Sequence, residues 1–179
     1  HKALEYGLKA LEIWEKALPE DHPHLATSYN NVGSTYGDLG DHHKALEYGL
    51  KALEIWEKVL PKNRPDIATS YNNVGITYGD LGDHHKALEY LLKALKIREE
   101  VLPKDHPDIA QSCNNVGCTY FVMGDFETAL SYVQRAADIA QRSLPEEHPD
   151  RQLYQESLDI VKLFIMTKKL GINPSDLQS

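Results

Sequence analysis

The chain has 179 residues, enough for one or two domains with a real core, and carries a formal net charge of −8 with a pI near 5.5. That acidity argues against a surface that tracks a phosphate backbone, so nucleic acid is not expected as a partner. No apolar run is longer than Leu163–Met166, far short of the roughly 20 residues that cross a bilayer, and no basic-then-apolar leader precedes the first element; a soluble, cytoplasmic chain with no membrane partner is the expectation.

His1 to about Leu18 reads as an amphipathic helix, and its letters His1–Lys16 return unchanged as His43–Lys58. Because the chain opens inside a repeated motif, residues 1–22 read as the second helix of a truncated repeat, and the chain as a piece of something longer. Next comes ATSYNNVGSTYGDLGDHHKAL, residues 26–46, which recurs at residues 68–88 with Ser34 exchanged for Ile76 and nothing else. Asn30, Asn72 and Asn114 mark a common register, dividing the chain into repeats at 23–64, 65–106 and 107–148.

Within 65–106, Ile67, Ala68, Tyr71, Val74, Gly75 and Tyr78 form one face at helical spacing. Pro65 opens this helix with Asp66 against the positive end of its dipole, and Gly82 closes it. Asp83 is the expected N-cap of a second helix, whose Ala87, Leu91, Ala94, Leu95 and Ile97 supply another apolar face until Pro103 stops it. So short a connection makes an antiparallel hairpin. A single hairpin cannot bury both apolar faces, whereas stacked neighbours can, which is the reason for writing nearly the same sentence again. The punctuating Gly40, Gly82 and Gly124, with Pro61, Pro103 and Pro145, exclude a long coiled coil.

The last helix, 149–170, departs from the pattern, with Asp159 at the Gly position and Lys162 at the Tyr position. It reads as a cap whose Leu153, Leu158, Val161, Phe164 and Ile165 cover the preceding hairpin, with Gly171 as its stop and a frayed tail at 171–179. Gly7 and Gly49 stand mid-helix at a cost of about 1 kcal/mol against Ala, where Leu91 and Val133 follow in later units; the sequence supplies no reason. The two cysteines, Cys113 and Cys118, point about 140° apart on a helix and read as free thiols of a reducing compartment.

The small-and-aromatic signature Gly33, Tyr36, Gly40, Ala45 and Ala52 is repeated as Gly75, Tyr78, Gly82, Ala87 and Ala94, and again as Gly117, Tyr120, Gly124, Ala129 and Ala136. On these residues the chain, over about positions 1 to 145, resembles the tetratricopeptide repeat family, in the 42-residue variety of kinesin light chains and nephrocystin-like scaffolds. The resemblance implies an all-α fold, an α-solenoid with a right-handed superhelix of stacked antiparallel hairpins. The physical sense of the signature stands beside it: Gly33 and Ala45 lie where two helices come closest, and Tyr36 fills the wider space next to them.

By resemblance, the first helix of each hairpin lines a concave groove. Its positions here are Thr27, Asn30, Ser34, Gly37 and Asp38, then Thr69, Asn72, Ile76, Gly79 and Asp80, then Gln111, Asn114, Cys118, Phe121 and Val122. Steps of three and four keep them on one stripe, and the exchange of Ser34 for Ile76 falls on it. Either packing letters are held while groove letters select the ligand, or the exchange is drift at a tolerant exposed site. The three asparagines either bond the backbone of an extended peptide or bond neighbouring repeats. The three first helices contain no Lys or Arg, so the basic clamps that related repeats use for acidic motifs cannot be carried over.

The expected function is a protein-interaction scaffold for a short neutral or mildly basic peptide. The alternative is a self-associating spacer that assembles into a homo-oligomer through the orphan N-terminal helix. The pairs His42 with His43 and His84 with His85 lack the ligand set of a metal site, and no nucleophile, base and acid converge. No enzyme activity, cofactor or metal is expected. Trp14 and Trp56 read first as packing residues.

Overall fold

The structure, a computed structural model, describes residues 2–61 and 64–171. Among them are eight helices and no strand: α1 (Lys2–Ala17), α2 (Pro23–Asp38), α3 (His42–Val59), α4 (Pro65–Asp80), α5 (His84–Val101), α6 (Pro107–Val122), α7 (Phe126–Ser143) and α8 (Pro149–Leu170). The fold is all-α, of the helical-repeat solenoid class expected from the period. It sorts into two compact units, the first running to Val101 and holding α1 to α5, the second starting at Leu102 and holding α6 to α8. The tail NPSDLQS lies outside the described residues.

Each hairpin turns on a glycine in the left-handed region, with φ of 79° at Gly40, 83° at Gly82 and 86° at Gly124, where a side chain would be strained. The aspartate that follows caps the next helix: Asp41, Asp83 and Asp125 accept from the amides of Lys44, Lys86 and Thr128. The histidines before the prolines act as caps as well. His22, His106 and His148 use Nδ1 to accept the amide of the residue two places on, at 3.1, 3.1 and 3.2 Å, and so cap α2, α6 and α8.

In unit 1, α2 pairs with α3 and α4 with α5, and each first helix also packs on the second helix before it. A Cβ on Gly33 would lie 3.1 Å from the Ala45 carbonyl and 3.3 Å from the Gly49 nitrogen, so the close crossing read from the sequence is present. Beside it the rings of Tyr36 and Tyr48 stack at 5.6 Å, as those of Tyr78 and Tyr90 do at 5.4 Å in the next hairpin. Gly49 now has a reason: its back faces Val74, whose Cγ2 would stand 3.1 Å from an added Cβ. It is pressed from both sides. At the same register Leu91 is free to fill the space against Gly75, at 2.8 Å from where a Cβ would be.

Unit 2 repeats the arrangement with α6, α7 and α8. Gly117 faces Val133, Tyr120 stacks on Tyr132 at 5.8 Å, and α8 packs against both helices of the hairpin. Leu158 and Val161 are buried against it and Phe164 and Ile165 half-buried, as the cap reading requires. Leu153 is the exception, at 50% exposure. It occupies the register of Thr27, Thr69 and Gln111, the outward stripe, so the packing falls to Tyr154 instead. Gly171, at φ 68°, ends the helix as expected.

Candidate functional site

The stripe begins from helix geometry. In unit 1, α2 and α4 run side by side and enclose a shallow pocket of about 260 Å³ whose lining includes Asn30, Ser34, Asp38, Ile76 and Asp80. With Gly37, which also lines it, six of the residues expected on the stripe therefore meet at one place. No Lys or Arg lines it, and Asp38 and Asp80 are exposed at its rim. His42 Nδ1 stands 3.3 Å from Asp80 Oδ2, a contact that is ionic only when the ring is protonated.

Two residues that the sequence reading passed over belong to this pocket. Asn73 Nδ2 donates to Asn30 Oδ1 at 3.2 Å, joining α4 to α2, and Thr77 donates to its own helix at the Asn73 carbonyl. The doublet Asn-Asn was the available signal, since its members point about 100° apart and only one can face the groove. Thr27 and Thr69 are exposed, but their hydroxyls donate back to the carbonyls of Pro23 and Pro65.

The amide ladder needs correction. Asn72 and Asn114 are only 3% and 6% exposed, so they do not floor an open trough for ligand backbone. Only Asn30 is partly accessible, and its carbonyl is taken by Asn73. The bonding between neighbouring repeats, held open as the other reading, is the one seen at Asn30.

In unit 2 the stripe on α6 is differently built. Gln111, Cys118 and Val122 are exposed, whereas Phe121 is half-buried in a cluster with Phe126 and Phe164, at centroid distances of 5.4 and 5.3 Å. That packing removes Phe121 as a free selector of ligand side chains. Leu153 and Ile160 of α8 continue the stripe with apolar side chains. Neither Cys113 nor Cys118 is in a disulfide; packing around the Cys118 sulfur raises its pKa above the usual thiol value, while a hydrogen bond with Ser157 opposes the shift.

One rung is missing in unit 2. At the register where Asn73 meets Asn30, α8 offers Ser157 to Asn114, whose buried Oδ1 has no hydrogen-bond partner. Ser157 bonds the Leu153 carbonyl of its own helix. Ser157→Asn is expected to restore the rung and raise the stability of unit 2 by about 1 kcal/mol, the usual net worth of such a bond plus relief of a buried acceptor. Denaturant titration of the variant against the parent, followed by circular dichroism, checks it; an unchanged midpoint would refute the register.

On the opposite edge of unit 1, Tyr29 donates to Glu15 at 2.8 Å and Tyr71 to Glu57, each tying a first helix to the preceding second helix. Burial, then the bonded carboxylate, pushes the Tyr29 pKa up to about 12.

Stacked antiparallel helix hairpins repeated along the chain define a helical-repeat protein. The sequence profile of the tetratricopeptide repeat matches residues 1–58 and 66–142, and the chain belongs to that family, whose fold generally mediates protein–protein interaction. No curated protein matches the sequence. Among solved structures, the chain is similar to a Podosopora anserina protein of nearly identical TPR-like repeats, described as a candidate kinesin light chain, with TM-score 0.79 and 23% identity over 94% of this chain and 80% of that one. It is similar to BtubC (BKLC) from P. vanneervenii, with TM-score 0.81 and 24% identity over 95% of this chain and 66% of that one. The apo form of RapI gives TM-score 0.73 and 25% identity over 94% of this chain and 45% of that one. The kinesin light chain-like variety of repeat, read from the 42-residue period, is borne out by these neighbours. Among the described residues, no helix is long and apolar enough to cross a membrane.

Proposed function

We propose that the chain is a scaffold module that captures a short neutral or mildly basic peptide segment on the stripe of α2 and α4. The observation that carries this reading is the pocket of about 260 Å³, lined without any cation and rimmed by the exposed carboxylates of Asp38 and Asp80. A carboxylate-bearing ligand would meet like charge there, and a Lys or Arg would meet two acceptors. Ser34 and Ile76 face the same pocket, so the one exchanged letter between the two repeats sits where it can select a ligand side chain. The apolar stripe of unit 2, with Val122 and Cys118, suits uncharged side chains.

A peptide array probed with the protein tests the proposal. Lys- or Arg-containing peptides are expected among the strongest binders, with salt-sensitive affinity. Asp38→Asn with Asp80→Asn should weaken them about fivefold, since exposed charge pairs are worth less than about 1 kcal/mol each. Preferential capture of acidic peptides, insensitive to salt and to both substitutions, would contradict the reading.

A further inference from the structure

Between residues 26–61 and their copy at 68–103 only five letters differ: Ser34 for Ile76, Gly49 for Leu91, Glu54 for Lys96, Trp56 for Arg98 and Lys58 for Glu100. Gly49, Leu91, Trp56 and Arg98 are buried, so those two exchanges answer to packing. Ser34 and Ile76 line the pocket already described. The remaining two exchanges are exposed, lie one helical turn apart, and together reverse the order of charge along the second helix.

Both reversed charges line a second cavity. On the Tyr71 edge of unit 1 it encloses about 520 Å³, and Ile67, Ile97 and the Tyr71 ring form its apolar wall. Small-ligand sites run from roughly 300 to 1,000 Å³ and combine such a wall with a few polar groups. Two of its four charged groups are engaged: Glu57 accepts the Tyr71 hydroxyl, and Lys93 bonds Glu89 at 2.7 Å. Lys96 and Glu100 make no ion pair among the described residues. The matching pocket one repeat earlier, with Leu25, Tyr29 and Ile55 as its wall, is different at this point, because Glu54 and Lys58 close on each other at 2.6 Å. There glutamate precedes lysine, the favourable order on a helix, whereas Lys96 before Glu100 is the poorer one. The second copy gives up a helix-supporting pair and holds two opposite charges open beside an apolar wall.

We infer that this cavity is a binding site for a zwitterionic dipeptide with apolar side chains, its carboxylate on Lys96 and its ammonium on Glu100. Residues four apart on a helix have Cβ atoms about 5 to 6 Å apart. The charged ends of an extended dipeptide are about 6 Å apart, one Cα–Cα step of about 3.8 Å plus a bond at each end. Each further residue adds roughly 3.5 Å, so length is selected as well as charge. An apolar side chain then falls on the wall of Ile67, Tyr71 and Ile97. The site is separate from the stripe on α2 and α4, and its occupancy does not depend on what binds there.

The test titrates the isotope-labelled intact chain with leucyl-leucine and follows the amide resonances. Saturable shifts are expected at Ile67, Tyr71 and Ile97. N-acetyl-leucyl-leucine and leucyl-leucine amide, each lacking one charge, should bind about fivefold more weakly, the worth of one charge contact. Lys96→Glu combined with Glu100→Lys rebuilds the self-closed pair of α3 and should weaken binding at least about tenfold, the worth of both contacts. That variant should melt no lower than the parent, which separates a lost site from a lost fold. Asp38→Asn with Asp80→Asn should leave dipeptide binding unchanged, so the result stands apart from the groove reading. Absence of saturable shifts, blocked dipeptides that bind as well as leucyl-leucine, or a double exchange that binds as the parent does would each overturn the inference. So would shifts centred on Asn30 and Ile76, since the dipeptide would then belong to the groove.

Discussion

Truncating Leu91 to alanine is expected to lower the stability of unit 1 by about 3 kcal/mol, within the range for a buried leucine whose surroundings cannot collapse. Leu91 is 2% exposed and fills the gap between α4 and α5 against Gly75. At the matching place in α3 the protein uses Gly49, which shows that the register itself tolerates a missing side chain when the helices on both sides have closed in. Around α5 the space is taken by the Leu91 side chain, whose Cγ would stand 2.8 Å from a Cβ on Gly75. Trp14 and Trp56 both lie in unit 1, so denaturant titration followed by tryptophan emission reads this unit selectively. A loss well below 1 kcal/mol would mean that the side chains around α5 can collapse over the gap that Leu91 leaves.

The second large effect is a reversal of sign between two identical substitutions. Glycine to alanine inside a helix gains about 1 kcal/mol of intrinsic propensity. At Gly7 the added Cβ would meet only Val32 Cγ2, at 3.4 Å, an ordinary contact, so Gly7→Ala should stabilise α1 by roughly 0.5 to 1 kcal/mol. At Gly117 it would stand 2.7 Å from Val133 Cγ1, 3.1 Å from the Val133 nitrogen and 3.2 Å from the Ala129 carbonyl. A rotamer change can move the first of these, but the other two are backbone, and α6 must back away from α7. Gly117→Ala should therefore cost about 2 kcal/mol net, in the range of overpacked cores. Hydrogen exchange should show faster opening of α6 and α7 amides in Gly117→Ala and slower opening of α1 in Gly7→Ala. A stabilised Gly117→Ala protein would show that the crossing is looser than described.

How much of this could be read before the fold is clear from particular residues. The repeat boundaries, the hairpin turns at Gly40, Gly82 and Gly124 and the aspartate caps depend on local chemistry: a left-handed φ, an orphan amide, a 3.6-residue period. Those signals lie within a few residues of one another, and the letters carry them completely. The histidine caps at His22, His106 and His148 were equally local but hidden, because a ring nitrogen can accept as well as a carboxylate and histidine is seldom read as a cap.

The stripe was legible as a set of positions and illegible as a set of roles. Asn30 and Asn31, like Asn72 and Asn73, are neighbours about 100° apart, and which of each pair meets the adjacent helix depends on where that helix lies. Hence the missed bond from Asn73 to Asn30 and the burial of Asn72 and Asn114. Phe121 was drawn into an aromatic cluster by Phe164, more than forty residues away in sequence. The sharpest case is α1 against α3. Sequence alone determined that both would be helices with the same apolar seam, because backbone propensity and periodicity are properties of the segment; only the tertiary structure decided that one seam is core and the other surface, because burial belongs to the pair of surfaces that meet.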